Sequence, residues 1–221
     1  MSLIKVVECP RDAMQGIKNW IPSKYKISYI QSILSVGFDV VDCGSFVSPR
    51  AVPQMKDTHH VLEGLDLSST KSKLLAIVAN LRGAKDACNY SQISYLGYPF
   101  SISENFQMRN TNKSIEESIS ELSKIIELAN KNKKEVVVYL SMGFGNPYGD
   151  QWNYEIVEKW IDLLYFMNIK TISISDTVGA AKIEDIKTVF SNTVVKYPTI
   201  EFGAHFHTKP NEWHEKIDTA Y

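Results

Sequence analysis

Residues 201–207 read Glu201-Phe202-Gly203-Ala204-His205-Phe206-His207 and alternate between apolar and polar side chains, which predicts a β-strand. Side chains on a strand alternate between its two faces, so His205 and His207 are expected to point the same way. The apolar face is expected to meet a covering helix. Two imidazoles one strand repeat apart suit one metal ion, and two ordinary histidines on a half-exposed sheet are the alternative. The pattern favours the metal site.

The composition is that of a soluble globular domain. Hydrophobic residues make up 44% of the 221 residues and charged residues 22%. The formal net charge is -1, and no apolar run reaches membrane-spanning length, so neither nucleic acid nor a membrane is an expected partner. Residues 1–10 lack the layout of a signal peptide, and the three cysteines are odd in number and widely spaced. We therefore expect a reducing, cytoplasmic location.

Strand and helix signals alternate along the chain. Strands are predicted over residues 4–9, 38–43, 74–79, 93–98, 135–141, 171–175 and 201–207. Helices are predicted over residues 23–36, 53–64, 81–88, 114–129, 155–167, 183–195 and 212–221, the fourth opening with a capping box of Ser114 and Glu117. Strict alternation predicts parallel strands with right-handed crossovers, either as an open doubly wound sheet or as a (β/α)8 barrel.

Two features favour the barrel. No G-x-G-x-x-G motif follows the first strand, which weakens the dinucleotide-binding alternative. Polar residues cluster where predicted strands end: Arg11, Asp12, Asp42, Ser103, Glu104, Ser141, Asp176, Thr177, His205 and His207. A barrel gathers its strand C-termini into one mouth, where active sites of this fold lie. We expect residues 1–221 to form a single TIM-barrel catalytic domain with seven βα units, truncated before the eighth.

Asp12 would complete a ligand set with the two histidines. One carboxylate and two imidazoles hold a divalent ion and leave positions open for substrate oxygens. Arg11 beside Asp12 adds a fixed cation that could stabilise an oxyanion formed during reaction. By itself the Arg11-Asp12 dipeptide is equally compatible with an ordinary surface ion pair.

Several motifs carry a resemblance to a known family. Residues 7–15 (VECPRDAMQ) resemble the opening motif of the hydroxymethylglutaryl-CoA lyases, within the wider family of metal-dependent barrel lyases and Claisen-type synthases. Residues 45–50 (SFVSPR) followed by 52–55 (VPQM) resemble the second-strand motif of the lyases, and this is the most specific match. Residues 80–83, 114–118, 145–148 and 175–179 follow in family order, so the resemblance covers essentially the whole chain.

The resemblance implies retro-Claisen cleavage of hydroxymethylglutaryl-CoA to acetyl-CoA and acetoacetate, in a homodimer. It implies that the metal ligands for Mg2+ or Mn2+ are Asp12, His205 and His207. Arg11 would stabilise the enolate of the departing acetyl thioester. The remaining expected site residues are Asp42, which would orient that arginine, Asp176, which would support the site from strand six, and three substrate-binding residues, Gln15, Ser141 and Thr177.

The chain also departs from the family pattern. The family's Gly-rich loop with a reactive cysteine and its asparagine ligand on strand eight would lie beyond Tyr221, and Cys9, Cys43 and Cys88 do not match that cysteine. We therefore expect residues 1–221 alone to show weak metal affinity, negligible lyase activity and association through exposed strand edges. A condensing synthase of the same superfamily and a non-catalytic fragment or scaffold are the alternatives.

Overall fold

Seven strands and nine α-helices alternate along residues 4–221, which are the residues described by a computed structural model of the protein. The strands are β1 Val7–Glu8, β2 Val40–Ser45, β3 Lys73–Ile77, β4 Ile93–Ser101, β5 Glu135–Ser141, β6 Thr171–Asp176 and β7 Glu201–Phe206. The helices are α1 Pro10–Gln15, α2 Ser23–Val36, α3 Thr58–Glu63, α4 Leu81–Cys88, α5 Glu104–Thr111, α6 Ile115–Lys131, α7 Tyr154–Phe166, α8 Ile183–Lys196 and α9 Trp213–Ala220. The first three residues of the segment considered for a signal peptide lie outside the described residues.

The chain divides into two compact units. The first contains residues 4–97 and Lys124–Glu135, and the second contains Tyr98–Ser123 and Val136–Tyr221. Among the described residues, no helix combines the length and apolar character that crossing a membrane requires.

The sheet of the first unit runs in the order β1, β2, β3 and the first half of β4. These strands pair in parallel, with Val7 opposite Val40 and Val40 opposite Lys73. Every residue of β2 is buried, which is the expected state of a parallel strand covered on both faces. Its register with β3 shifts between Asp42 and Gly44. A Cβ at Gly44 would lie 2.5 Å from the Thr58 side chain, so this close approach requires glycine.

The sheet of the second unit continues from the end of β4 through β5 and β6 to β7. Ile172 and Ile174 on β6 are fully buried, and Ile174 pairs in register with Ala204. On β7, Phe206 lies 5.6 Å from the ring of Phe144, measured between centroids. Ala204 is exposed, so the expectation that the whole apolar face of this strand would be covered by a helix is wrong at that residue.

The predicted elements agree with the structure apart from a few segments. Helix α4 and strand β5 have the predicted bounds, and the capping box at the start of α6 is confirmed by reciprocal bonds between Ser114 and Glu117. The single helix predicted over residues 53–64 is instead a 3-10 turn, Pro53–Met55, followed by α3. Helices α1 and α5 were not predicted, and β1 is shorter than expected.

Candidate metal centre and active site

Arg11 and Asp42 form a buried ion pair in the first unit. Arg11 lies on α1, which begins with Pro10 at a helix position that suits proline, and Asp42 lies on β2. Arg11 Nε donates to both carboxylate oxygens of Asp42 at 3.2 and 3.0 Å, and Nη2 donates to Oδ2 at 2.5 Å. Arg11 is 8% exposed and Asp42 is fully buried. A forked contact of this kind fixes the plane of the guanidinium.

Asp12 joins the same network from the next position of α1. Its Oδ1 accepts a hydrogen bond from Arg11 Nη1 at 2.9 Å and another from Gln15 Nε2 at 2.5 Å. Gln15 is one helical turn from Asp12, so its amide can hold that carboxylate in place. The structure thus joins four predicted site residues, Arg11, Asp12, Gln15 and Asp42, in one hydrogen-bonded group.

The thiols nearest this network are poor nucleophiles. Burial, reinforced by the Asp42 carboxylate, raises the pKa of the Cys9 thiol to about 12. Burial and the same carboxylate also raise the pKa of Cys43, which is 3% exposed. Since the thiolate is the reactive form, both cysteines are poorly reactive at neutral pH.

In the second unit, β7 brings His205 and His207 together. Their Nε2 atoms lie 3.2 Å apart, and the ring planes are inclined at 61°. The prediction that the two side chains share one face is confirmed. Tyr139 on β5, which sequence reasoning missed, packs edge-on against His205 with ring centroids 5.6 Å apart. This contact restricts the orientation of the His205 ring.

The spacing of these two nitrogens fits a shared metal ion. Zinc binds imidazole nitrogens at about 2.0–2.1 Å, so two such nitrogens on one ion lie about 2.8–3.4 Å apart for angles from octahedral to tetrahedral. The observed 3.2 Å falls within that range. Imidazole is a common ligand for divalent ions, and a carboxylate suits the harder ones.

Asp176 lies at the end of β6 and is almost completely enclosed by protein. It is 2% exposed. One carboxylate oxygen accepts the backbone N–H of Ala181 at 3.1 Å, and the other accepts Lys216 Nζ at 2.8 Å. Its backbone carbonyl accepts the N–H of His207 at 3.3 Å. These contacts tie Asp176 to the backbone of His207 and to α9.

Thr177 and Ser141 also take part in the loops that follow their strands. Thr177 Oγ1 accepts the backbone N–H of Met142 at 2.9 Å, which ties the end of β6 to the end of β5. Ser141 is 7% exposed, and its carbonyl accepts the N–H of Ile102 at 3.2 Å. Both residues are therefore held by neighbouring backbone.

Lys216 is a second buried residue that the sequence did not indicate. It belongs to the predicted last helix, where the neighbouring apolar residues Trp213 and Ile217 give the more obvious signal for an inward face. The structure instead buries Lys216 to 6% exposure, whereas Trp213 is 50% exposed. No local pattern marks its partner, because Asp176 is 40 residues away along the chain.

Comparison with known proteins places this chain in a family. Residues 4–210 match the model of the HMGL-like family. The chain belongs to the HMGL-like family. It is 31% identical to the hydroxymethylglutaryl-CoA lyase YngG of Bacillus subtilis over 198 residues, which are 90% of this chain and 66% of that protein. The chain spans about three fifths to two thirds of the length of the curated relatives that it matches.

Solved structures of HMG-CoA lyases match nearly the whole chain. A Bacillus subtilis HMG-CoA lyase superposes with a TM-score of 0.92 at 29% identity and covers 98% of this chain and 72% of its own. An Acinetobacter baumannii HMG-CoA lyase in complex with coenzyme A and 3-methylmalate gives a TM-score of 0.91 at 25% identity, covering 99% and 71%. With the parallel βα alternation, this match confirms the TIM-barrel fold class and the seven βα units predicted for this HMGL-like chain.

Proposed function

We propose that this chain carries the catalytic domain of a divalent-metal-dependent carbon–carbon lyase. Its reaction would be the retro-Claisen cleavage of hydroxymethylglutaryl-CoA to acetyl-CoA and acetoacetate. Membership of the HMGL-like family and the lyase names of its relatives support the reaction. The coenzyme A bound to the Acinetobacter baumannii relative supports an acyl-CoA substrate.

The observation that carries the proposal is the pair of imidazole nitrogens 3.2 Å apart at the end of β7. In the proposed enzyme His205, His207 and Asp12 hold Mg2+ or Mn2+. The ion, when bound, polarises the hydroxyl and carboxylate oxygens of the substrate as a Lewis acid. The protein's own contribution is to fix the imidazole pair through β7 and to fix the Asp12 carboxylate through Arg11 and Gln15.

Arg11 would act on the charge that develops in the reaction. As a general base takes the proton of the substrate hydroxyl, that carbon becomes the ketone of acetoacetate and the C–C bond breaks. The electron pair of the bond passes to the acetyl thioester and forms an enolate oxygen with negative charge, and protonation of the enolate carbon then gives acetyl-CoA. A guanidinium already held by Asp42 can meet that charge without reorganising, which is the source of its catalytic advantage. Asp42 would therefore orient Arg11, and Asp176 would support the histidine pair.

Gln15, Ser141 and Thr177 are the proposed substrate-binding residues, and the acyl-CoA is the proposed partner. Residues 1–221 would act as one catalytic domain, within a cytoplasmic homodimer that binds neither nucleic acid nor a membrane.

The test of the proposed function is acetoacetate release from hydroxymethylglutaryl-CoA in the presence of Mg2+. It should be run on residues 1–221 and on a version extended beyond Tyr221 by a segment that supplies a Gly-rich, cysteine-containing loop and an eighth strand. We expect little acetoacetate from residues 1–221 and clear acetoacetate release from the extended version. Chelation of the metal should abolish this release. The control variant His60→Ala, which changes an exposed histidine, should retain it. No release from the extended version, or condensation of acetyl-CoA with an oxo acid instead, would contradict the lyase assignment.

A further inference from the structure

Helix α9 directs the side chain of Lys216 towards the protein interior. Lys216 is the buried residue of this helix and is 6% exposed, whereas the apolar side chains of Trp213 and Ile217 are 50% and 42% exposed. Burying a lysine is costly unless its charge is paired and its protons are hydrogen-bonded. An amphipathic helix normally buries its apolar side chains, so this arrangement points to a specific task for the ammonium group.

The partner of Lys216 is the carboxylate of Asp176. The Nζ–Oδ2 distance is 2.8 Å, and the two side chains are 8% and 2% exposed. Lys216 Nζ also approaches the carbonyl oxygen of Gly179 at 3.4 Å. One ammonium group therefore holds both the end of β6 and the turn that follows it.

That turn packs against the end of β7, where the histidine pair lies. The N–H groups of His207 and Gly179 both donate to the carbonyl of Asp176, at 3.3 and 3.2 Å. Gly179 has a φ of +73°, and a Cβ there would lie 2.9 Å from the carbonyl oxygen of His207. The turn that Lys216 anchors therefore contacts both the backbone N–H and the backbone carbonyl of His207.

We propose that Lys216 is a positioning residue for the histidine pair, acting through Asp176 and the turn after β6. The assignment of a role in metal binding rests on the proposed function. Removing Lys216 leaves a buried carboxylate without its cation, and the turn rearranges to let that carboxylate reach water. The end of β7 then loses its fixed position, and the two imidazoles no longer hold the spacing that a shared ion needs.

The sign of the effect on metal affinity separates positioning from simple electrostatics. Lys216 places a positive charge beside Asp176, whose carbonyl accepts the His207 N–H, so its removal should strengthen the binding of a divalent cation if charge alone mattered. Positioning predicts the opposite, and loss of an outer-shell partner of a metal ligand typically lowers metal affinity by about 10–100-fold. Weaker binding in Lys216→Met would therefore be geometric in origin.

The first measurement needs no metal. In Lys216→Met we expect amide hydrogen exchange at Gly179 and His207 to accelerate at least about tenfold relative to the wild-type chain, while that of Ile172 and Ile174 on the same sheet is unchanged. The matched control is Lys209→Met, which removes one exposed lysine of the segment that follows β7; its Nζ contacts Glu212 at 3.2 Å. Unchanged exchange at Gly179 and His207 would overturn the proposal whatever the metal site does.

The second measurement is Mn2+ affinity, from electron paramagnetic resonance of the free ion. We expect weaker binding in Lys216→Met and no loss in Lys209→Met. The double variant Lys216→Met/Asp176→Asn removes the unpaired charge, so its thermal stability should recover while its Mn2+ affinity does not. Recovery of both quantities would make Lys216 merely structural and overturn the proposal. Absence of Mn2+ binding in the wild-type chain would contradict the proposed metal centre instead, and hydrogen exchange would still decide the anchoring role.

Discussion

At the scale of single residues, Arg11 is the proposed catalytic group, and its neighbours fix the guanidinium in place. Its guanidinium is buried and fixed by the Asp42 carboxylate, so it offers a preset positive charge. In the extended version, Arg11→Lys should lower the turnover number by about 10²–10³ and leave the Michaelis constant nearly unchanged, because the lost interaction forms only as the C–C bond breaks.

Arg11→Lys is an informative substitution because it is conservative. A lysine keeps the charge but lacks the planar fork that grips Asp42, so it should not rescue the rate. Steady-state kinetics with hydroxymethylglutaryl-CoA measure both constants, and Arg82→Lys, on an exposed arginine of α4, is the matched control. Near-normal turnover with a raised Michaelis constant would make Arg11 a substrate anchor instead.

At the scale of elements, α6 begins with a reciprocal pair of hydrogen bonds between Ser114 and Glu117. Ser114 Oγ accepts the N–H of Glu117 at 3.1 Å, and the Glu117 carboxylate accepts the N–H of Ser114 at 2.8 Å. Ser114→Ala should lower the free energy of unfolding by about 0.5–2 kcal/mol, because one backbone donor loses its partner. Urea denaturation measures the change. The control Ser123→Ala, within the same helix, should lower the free energy of unfolding by less. Equal losses in the two variants would contradict the role of Ser114 as a cap.

The elements that sequence reasoning found and missed differ in length and in local signals. Helix α4 has the predicted bounds, and in the structure Asn80 Oδ1 caps it by accepting the Gly83 N–H at 2.9 Å. Helix α1 has only six residues, too few for apolar periodicity to appear. The helix predicted over residues 53–64 is interrupted at Asp57. The carboxylate of Asp57 accepts a hydrogen bond from Lys26 Nζ at 2.6 Å. That partner is 31 residues away, so no local pattern could reveal the break.

At the scale of the whole molecule, the sequence predicted those parts of the candidate site that depend on neighbouring residues. By themselves, sequence patterns did not predict contacts between residues that are far apart along the chain. The alternation in residues 201–207 was enough to place His205 and His207 on one face. The pairing of Arg11 with Asp42 came from the family resemblance and is present in the structure. The Lys216–Asp176 pair depends on how α9 docks, which neither periodicity nor motif encodes, so it appears only in the folded chain.

The measurement that tests the account most directly is Mn2+ binding by the wild-type chain, His207→Ala and His60→Ala, followed by electron paramagnetic resonance. His60 lies on α3 with its side chain 64% exposed, so its loss controls for removing a surface histidine. We predict one saturable Mn2+ site per chain, weak in residues 1–221, that disappears in His207→Ala and is retained in His60→Ala. An unchanged Mn2+ affinity in His207→Ala would contradict the assignment of the histidine pair as the metal centre.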